Sequence, residues 1–206
     1  MKMSNKGSLI VISGPSGSGK GTVVKALKEL MPSIGVSVSA TTRAPREGEM
    51  DGIDYYYISH AEFEKMIENG EVLEYTTYCG NYYGTLAREA ERITGEGRDL
   101  ILEIEVDGAG QIKKKFPDAV TVMLIPPSLS ILETRLRGRG TESEEVIKSR
   151  LDRACQEIGC AYDYDYVVVN EDGGVEACAR LIKRIIKAEN SRSAKMKHII
   201  DNFIDR

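Results

Sequence analysis

Residues 8–22 read SLIVISGPSGSGKGT, and the reading of this run decides the fold class. Residues 8–13 are a short, nearly continuous apolar stretch rich in β-branched side chains, the composition of a strand covered on both faces of a parallel sheet. A glycine-rich turn follows at once, in which Gly14, Pro15, Ser16, Gly17, Ser18, Gly19 and Lys20 match the pattern Gly-x-x-x-x-Gly-Lys. From Thr22 the period changes, with Val23, Val24, Ala26, Leu27, Leu30 and Met31 recurring at helical spacing until Pro32 stops it. Strand, loop and helix in this order make the turn a phosphate cradle. Its glycines let successive backbone N–H groups face phosphate oxygens, the helix adds its positive end, and the Lys20 ammonium reaches the β and γ phosphates of a nucleotide. The alternative is a bare tight turn, which the full strand, loop, lysine and helix context disfavours.

Gly21 stands where such loops usually carry a Ser or Thr that ligates Mg²⁺, and the hydroxyl comes one residue later, at Thr22. Mg²⁺ gives up water reluctantly, so the expectation is that the nucleotide and water hold it, with no direct protein ligand. The loop alone fits kinases, GTPases and motor ATPases, and leaves the phosphate acceptor open.

Outward from the loop, residues 100–106 (LILEIEV), 119–125 (AVTVMLI) and 166–170 (YVVVN) read as further buried strands separated by helical stretches. Ser128 or Ser130 can cap a helix running to Arg137, Thr141 and Glu144 fit a capping box ahead of residues 146–158, and residues 175–188 have an apolar helical face. The alternation predicts an α/β fold with a largely parallel sheet. Residues 39–94 break the rhythm, being rich in Tyr, Gly and charge with short strand-like pieces at 55–58 and 72–75, and read as an inserted lobe. Residues 135–150 (RLRGRGTESEEVIKSR) suit a flap over an active site, and the tail after Lys187 has a weak helical period.

A chain of 206 residues with 41% apolar and 29% charged side chains suits one compact domain. Its net charge of −4 argues against gripping nucleic acid through an overall field, so anions must be bound locally. No apolar segment has membrane-spanning length and the start lacks the features of a secretory signal, so no membrane and a cytoplasmic location are expected. Cys79, Cys155, Cys160 and Cys178 are scattered without zinc-site spacing.

Residues 39–49 (SATTRAPREGE) set Arg43 and Arg46 three apart around a proline. Two guanidinium groups on an irregular backbone suit a phosphate dianion, each offering two parallel hydrogen bonds. A solvated charged loop is the other reading of such a pair. Glu103 and Glu105, two apart on a predicted strand, share a face near the end where such sheets bind ligands, or else form a salt-bridged structural pair.

Taken together, GPSGSGKGT, SVSATTRAPREGEMDGIDYYYIS, the Glu74 strand, GNYYGT at 80–85, LEIEVDGA at 102–109, RLRGRGTESEE at 135–145 and VVVNED at 167–172 resemble the guanylate kinase family from about residue 7 to residue 187. The resemblance implies a P-loop NTPase-type parallel sheet flanked by helices, with a core of residues 7–38 and 95–187, a GMP-binding lobe at 39–94, a lid at about 135–150 and a tail at 188–206. It implies ATP-dependent phosphorylation of GMP, and of dGMP, with Mg²⁺. Carried over residue by residue, Arg43, Arg46, Tyr55 and Tyr83 would bind the GMP phosphate, while Ser39, Glu74 and Thr85 would face the base. The Glu74 carboxylate can accept from guanine N1–H and the 2-amino group, and the two hydroxyls can donate to O6. Arg135, Arg139 and Arg150 would close over the ATP phosphates, with helix-surface ion pairing as their alternative reading. Asn170 matches an adenine-contacting position, and Lys20, Arg43, Arg139 and Arg150 would carry catalysis. Two departures stand out: Glu105 where the family usually has Asp, and Asp107 where it commonly has Gln. Glu105 should still reach the metal's water shell or the acceptor. Competing readings are another small-molecule kinase, against which Glu74 and Tyr83-Gly84-Thr85 argue, and a non-catalytic binding module, against which Lys20, Arg43 and Arg46 argue.

Overall fold

The structure is a computed structural model that describes residues 6–138 and 143–204. The chain opens with β1 (Leu9–Ser13), α1 (Lys20–Leu30), β2 (Gly35–Val36), β3 (Ser39–Thr41) and β4 (Tyr56–Tyr57). Next come α2 (His60–Glu68), β5 (Val72–Tyr78), β6 (Asn81–Leu86) and α3 (Ala87–Gly95). The second half holds β7 (Leu100–Glu103), α4 (Val106–Lys115), β8 (Val120–Ile125), α5 (Leu129–Arg137) and α6 (Glu144–Gly159). A short 3₁₀ turn at Cys160–Asp163 leads to β9 (Tyr166–Val169), α7 (Val175–Asn190) and α8 (Lys197–Ile204).

Five strands form a parallel sheet in the order β2-β7-β1-β8-β9, so the apolar strand of the opening motif lies at its centre. Alternation along β1 sends Ile10 and Ile12 to one face and Val11 to the other, and all three are fully buried. The first face packs on α1 and α7 through Val23, Leu27, Ile182 and Ile186. The second packs on α3 and α4 through Ala90, Ile93 and Ile112. Truncating a side chain such as Leu27 here would cost about 2–5 kcal/mol, because the rigid sheet cannot collapse into the hole. The loop after β1 therefore starts from the stiffest part of the molecule.

A second sheet, in the order β4-β3-β6-β5, is built from residues 39–86 and closes over α2 through Phe63, Val72 and Leu86. Strands β5 and β6 form a hairpin whose two-residue turn, Cys79-Gly80, has φ of 49° and 74°. Both values suit the twist of a tight hairpin.

Two boundaries differ from expectation. The strand predicted for 100–106 stops at Glu103, and Glu105 is the N-cap residue of α4. Its neighbour β1 pairs only as far as Ile12 with Glu103, and beyond that point a helix satisfies the backbone better than an unpaired strand. Helix α6 begins at Glu144 with Ser143 as N-cap; Thr141, the expected cap, lies outside the described residues. The expected cap Ser128 is found, its Oγ accepting from the Ile131 N–H. Of the cysteines, Cys178 is buried and all are free thiols. Among the described residues no helix is long and apolar enough to cross a membrane.

Candidate functional site

The glycine loop leaves the carboxyl end of the central strand and enters α1 at Lys20, the crevice position where open α/β sheets bind ligands. Gly19 has φ +92°, and a Cβ there would lie 2.5 Å from Asn170 Nδ2, so no side chain fits. That amide is buried and donates to the Ser18 carbonyl at 2.8 Å, tying the loop to the end of β9. Lys20 Nζ donates to the carbonyls of Gly14 at 2.5 Å and Pro15 at 3.3 Å, which holds the ammonium across the loop mouth. Gly21 and Thr22 form the first turn of α1, and Thr22 borders a shallow groove with Lys25, Gly173 and Arg180.

Beside the loop lies a cleft of about 260 Å³, lined on one wall by Ser39, Glu74, Tyr83 and Tyr55 of the second sheet and its approach loop. Ser16, Glu103, Glu105 and Arg150 close it from the core side. The register of the second sheet aligns Ser39 with Thr85 and Thr85 with Glu74, setting three polar side chains in a row across β3, β6 and β5. Glu74 is 3% exposed, and Thr85 Oγ1 donates to its Oε1 at 2.7 Å. Burial raises the Glu74 pKa above the ordinary carboxylate value, and the Thr85 hydrogen bond opposes the rise. The Thr85 hydroxyl thus points at the carboxylate, where it can fix Glu74 rather than reach a base on its own. Helix α4 presses from behind: a Cβ on Gly108 would lie 2.3 Å from Glu74 Oε2.

At the other end of the row Arg43 is held in place. Its Nη2 and Nη1 lie 3.0 Å from Glu49 Oε1 and Oε2, and its guanidinium sits 5.6 Å from the Tyr55 ring centroid and 5.9 Å from that of Tyr57. The Glu49 hydrogen bond, despite opposing burial, raises the Arg43 pKa, and a hydrogen bond with Tyr83 adds to it. In return the Arg43 guanidinium, helped by the Arg46 N–H at 2.7 Å, holds the Glu49 carboxyl down at about 2. Arg46 itself is exposed, with its backbone rather than its side chain engaged in this cluster. Tyr55 and Tyr83 meet edge to face at 6.0 Å, and burial raises the Tyr55 pKa.

The predicted Glu103/Glu105 pair does not share a strand face, since Glu105 caps a helix, yet both side chains border the cleft near the loop lysine. Glu105 Oε1 lies 3.9 Å from Lys20 Nζ. Burial raises the Glu103 pKa, and the Lys20 charge lowers it. Among the described residues no group of three His, Cys, Asp or Glu side chains could cage a metal ion.

The arginines of the expected lid separate. Arg150 Nη1 donates to Ser16 Oγ at 2.9 Å, at the loop itself. Arg135 Nη2 donates to the Asn170 carbonyl and to Asp172, at 2.8 and 2.7 Å, at the end of β9. The helix-surface pairing goes to Arg137, which bonds Glu133 and Glu144. Arg139 lies outside the described residues.

Several cleft residues escape the sequence reading. Arg153 and Glu157 follow Arg150 at i+3 and i+7 on α6, so all three share one helix face, and all border the cleft. That spacing was the available signal. Glu157 is 9% exposed and paired with Arg153 Nε at 2.7 Å, and burial raises its pKa. Glu49 and Tyr57, which do not line the cleft, had no local signal, because their contacts are with Arg43, the Arg46 backbone and each other.

With this geometry in hand, the comparisons with known proteins are specific. The family model described as guanylate kinase matches residues 6–189. A guanylate kinase of Lactococcus lactis is 50% identical over 204 residues, covering 99% of this chain and 95% of that protein. One from Streptococcus thermophilus is 52% identical over 191 residues, covering 92% and 90%. The crystal structure of guanylate kinase from Anaplasma phagocytophilum superposes with a TM-score of 0.75 at 34% identity, covering 93% of this chain and 90% of that one.

Proposed function

The chain belongs to the guanylate kinase family, which converts GMP to GDP using ATP, and we propose that Glu74, Arg43, Arg150 and Lys20 carry that reaction here. The observation that carries the assignment is the row Ser39, Thr85 and Glu74, aligned across three strands with Glu74 buried at its end. Guanine presents N1–H and a 2-amino group to this carboxylate, and the Ser39 hydroxyl can donate to O6. Adenine has no proton on N1, so its approach would leave the buried carboxylate facing a lone pair.

At the opposite end of the acceptor, Arg43 with Tyr55 and Tyr83 would take the GMP phosphate, with Arg46 joining from the loop rim. The protein's own Glu49 holds Arg43 at two points, so little side-chain entropy is lost on binding. The donor phosphates would lie along the loop from Gly14 to Thr22, against the N-terminal end of α1 and Lys20. Arg150 reaches the loop from α6 and would share the charge of the transferred group, as would Arg139 and Arg135. In-line transfer passes through a loose transition state, so these cations act by positioning and by stabilising charge on the equatorial oxygens. The buried Asn170 amide would act on ATP through the loop it holds, and its backbone at the end of β9 would be the adenine contact.

Glu103 and Glu105 are hard oxygen donors beside Lys20 and fit the water shell of a nucleotide-borne Mg²⁺ better than a direct cage. When bound, the ion would supply charge neutralisation for the donor phosphates. Residues 39–94 are the acceptor lobe of this scheme, residues 7–38 and 95–187 its core and residues 135–150 its lid. The cytoplasm is the location proposed.

The test is a coupled assay of ADP release from ATP with GMP, dGMP, AMP, CMP and UMP at equal concentration. GMP and dGMP, which share base and phosphate, should both react, with AMP slower by roughly 10³-fold or more, as expected of a site built on buried polar groups. Equal rates with AMP, or none with GMP, would defeat the assignment.

A further inference from the structure

Alternation along β5 lays Glu74, Thr76 and Tyr78 on one face, and all three border the cleft. The hairpin register fixes where each lies. Thr76 is opposite Tyr83, at the phosphate end of the acceptor row, and Tyr78 is opposite Asn81, two residues further along the hairpin. At a rise of about 3.4 Å per residue, Tyr78 stands roughly 13 Å along the strand from Glu74. It therefore overhangs the gap between the acceptor lobe and the loop, beyond the reach of the base pocket.

Across that gap stands Arg150. Its Nη1 donates to Ser16 Oγ at 2.9 Å and its Nη2 donates to the Tyr78 hydroxyl at 3.2 Å. One planar guanidinium is thus tethered on two sides, by the donor loop and by the tip of the acceptor lobe. A guanidinium held at one edge can still pivot about that contact. Held at both, its plane is defined, which matters for a group that must meet equatorial oxygens bidentately.

We propose that Tyr78 is a positioning residue for phosphoryl transfer, whose hydroxyl fixes the Arg150 guanidinium between the donor loop and the acceptor phosphate. Tyr78 is 44% exposed, and removing its hydroxyl alone leaves the ring and the strand pairing in place. The contact bridges β5 and α6 at the separation seen here. This inference rests on the assignment of Arg150 to the transferred phosphate.

The experiment is a double-mutant cycle on the full chain with Tyr78→Phe, Arg150→Ala and the pair, reading kcat, both KM values and the thermal midpoint. The expectation for Tyr78→Phe is a fall in kcat of roughly three- to tenfold, below the range for a hydrogen bond to a charged group because water reaches the site. KM for GMP and the thermal midpoint should stay unchanged, since phenylalanine keeps the ring. In the Arg150→Ala background the same substitution should cost nothing further. An unchanged kcat in Tyr78→Phe, or an equal loss in both backgrounds, would overturn the proposal. Near-normal turnover of Arg150→Ala alone would instead remove Arg150 from the reaction, and Tyr78 with it, while leaving the guanine reading intact.

Discussion

Replacing Glu74 by Gln separates recognition from stability. The side chain is 3% exposed, accepts from Thr85 at 2.7 Å and is pressed by Gly108, so an isosteric amide keeps the packing and the Thr85 bond. It loses one charge-assisted acceptor and turns an NH₂ toward a guanine N–H. A hydrogen bond to a charged group is worth about 1.5–3 kcal/mol, and a buried donor left unsatisfied costs about 1–3 kcal/mol more. The combined loss of about 2.5–6 kcal/mol corresponds to a fall of roughly two to four orders of magnitude in kcat/KM for GMP. Stability should move the other way. Burial raises the Glu74 pKa above 4.5, so the stability linked to its protonated form is present below 4.5 and is lost as pH rises through the folded-state value. The Gln variant lacks that loss, and its thermal midpoint should match the parent near pH 4.5 and equal or exceed it at pH 8. Guanine binding needs the carboxylate, so the acid limb of kcat/KM for GMP should lie above the ordinary carboxylate range in the parent and disappear from the variant. Coupled ADP release at saturating ATP with varied GMP, beside a thermal melt at each pH, reads both effects. A variant within twofold of the parent, or one whose activity loss accompanies a drop of several degrees at pH 8, would refute the reasoning.

Two further substitutions probe the supports of the site. Gly108→Ala places a methyl group 2.3 Å from Glu74 Oε2, which must swing aside, so KM for GMP should rise roughly tenfold while KM for ATP holds; an unchanged GMP response would show that α4 does not set the carboxylate. Glu49→Gln releases the two-point grip on Arg43 and should lower kcat roughly tenfold through loss of alignment. Because the Glu49 carboxyl is held down at about 2, the stabilisation linked to the Arg43 pair is present above 4.5 and fades only as pH falls toward 2. The parent should accordingly show no pH dependence from this pair between pH 6 and 9; a variant with full turnover would mean that Arg43 needs no clamp.

Where the chemistry is written in consecutive residues, the sequence reading and the structure coincide. The strand at Leu9–Ser13, the turn and the helix from Lys20 are neighbours in the chain, and Ser128 caps its helix through a hydroxyl three residues from its target. Where spacing stood in for pairing, the reading failed. Residues 100–106 read as a buried strand throughout, but β1 offers its neighbour no partner past Ile12, and Glu105 turns into a helix cap instead of sharing a face with Glu103. Lid residues divided for a similar reason, since one arginine-rich segment sends Arg137 to surface carboxylates and Arg135 to the end of β9.

By itself the sequence determined the phosphate loop, the parallel α/β class and the family, because a loop motif depends on local backbone conformation and a buried strand on local composition. Only the tertiary structure decided how Ser39, Thr85 and Glu74 line up, how Glu49 grips Arg43, and that Arg150 lies between Ser16 and Tyr78. Arg150 is 134 residues from Ser16 and 72 from Tyr78, and no local preference spans such separations. Strand register and helix packing set those distances, and they follow from burying the whole core at once.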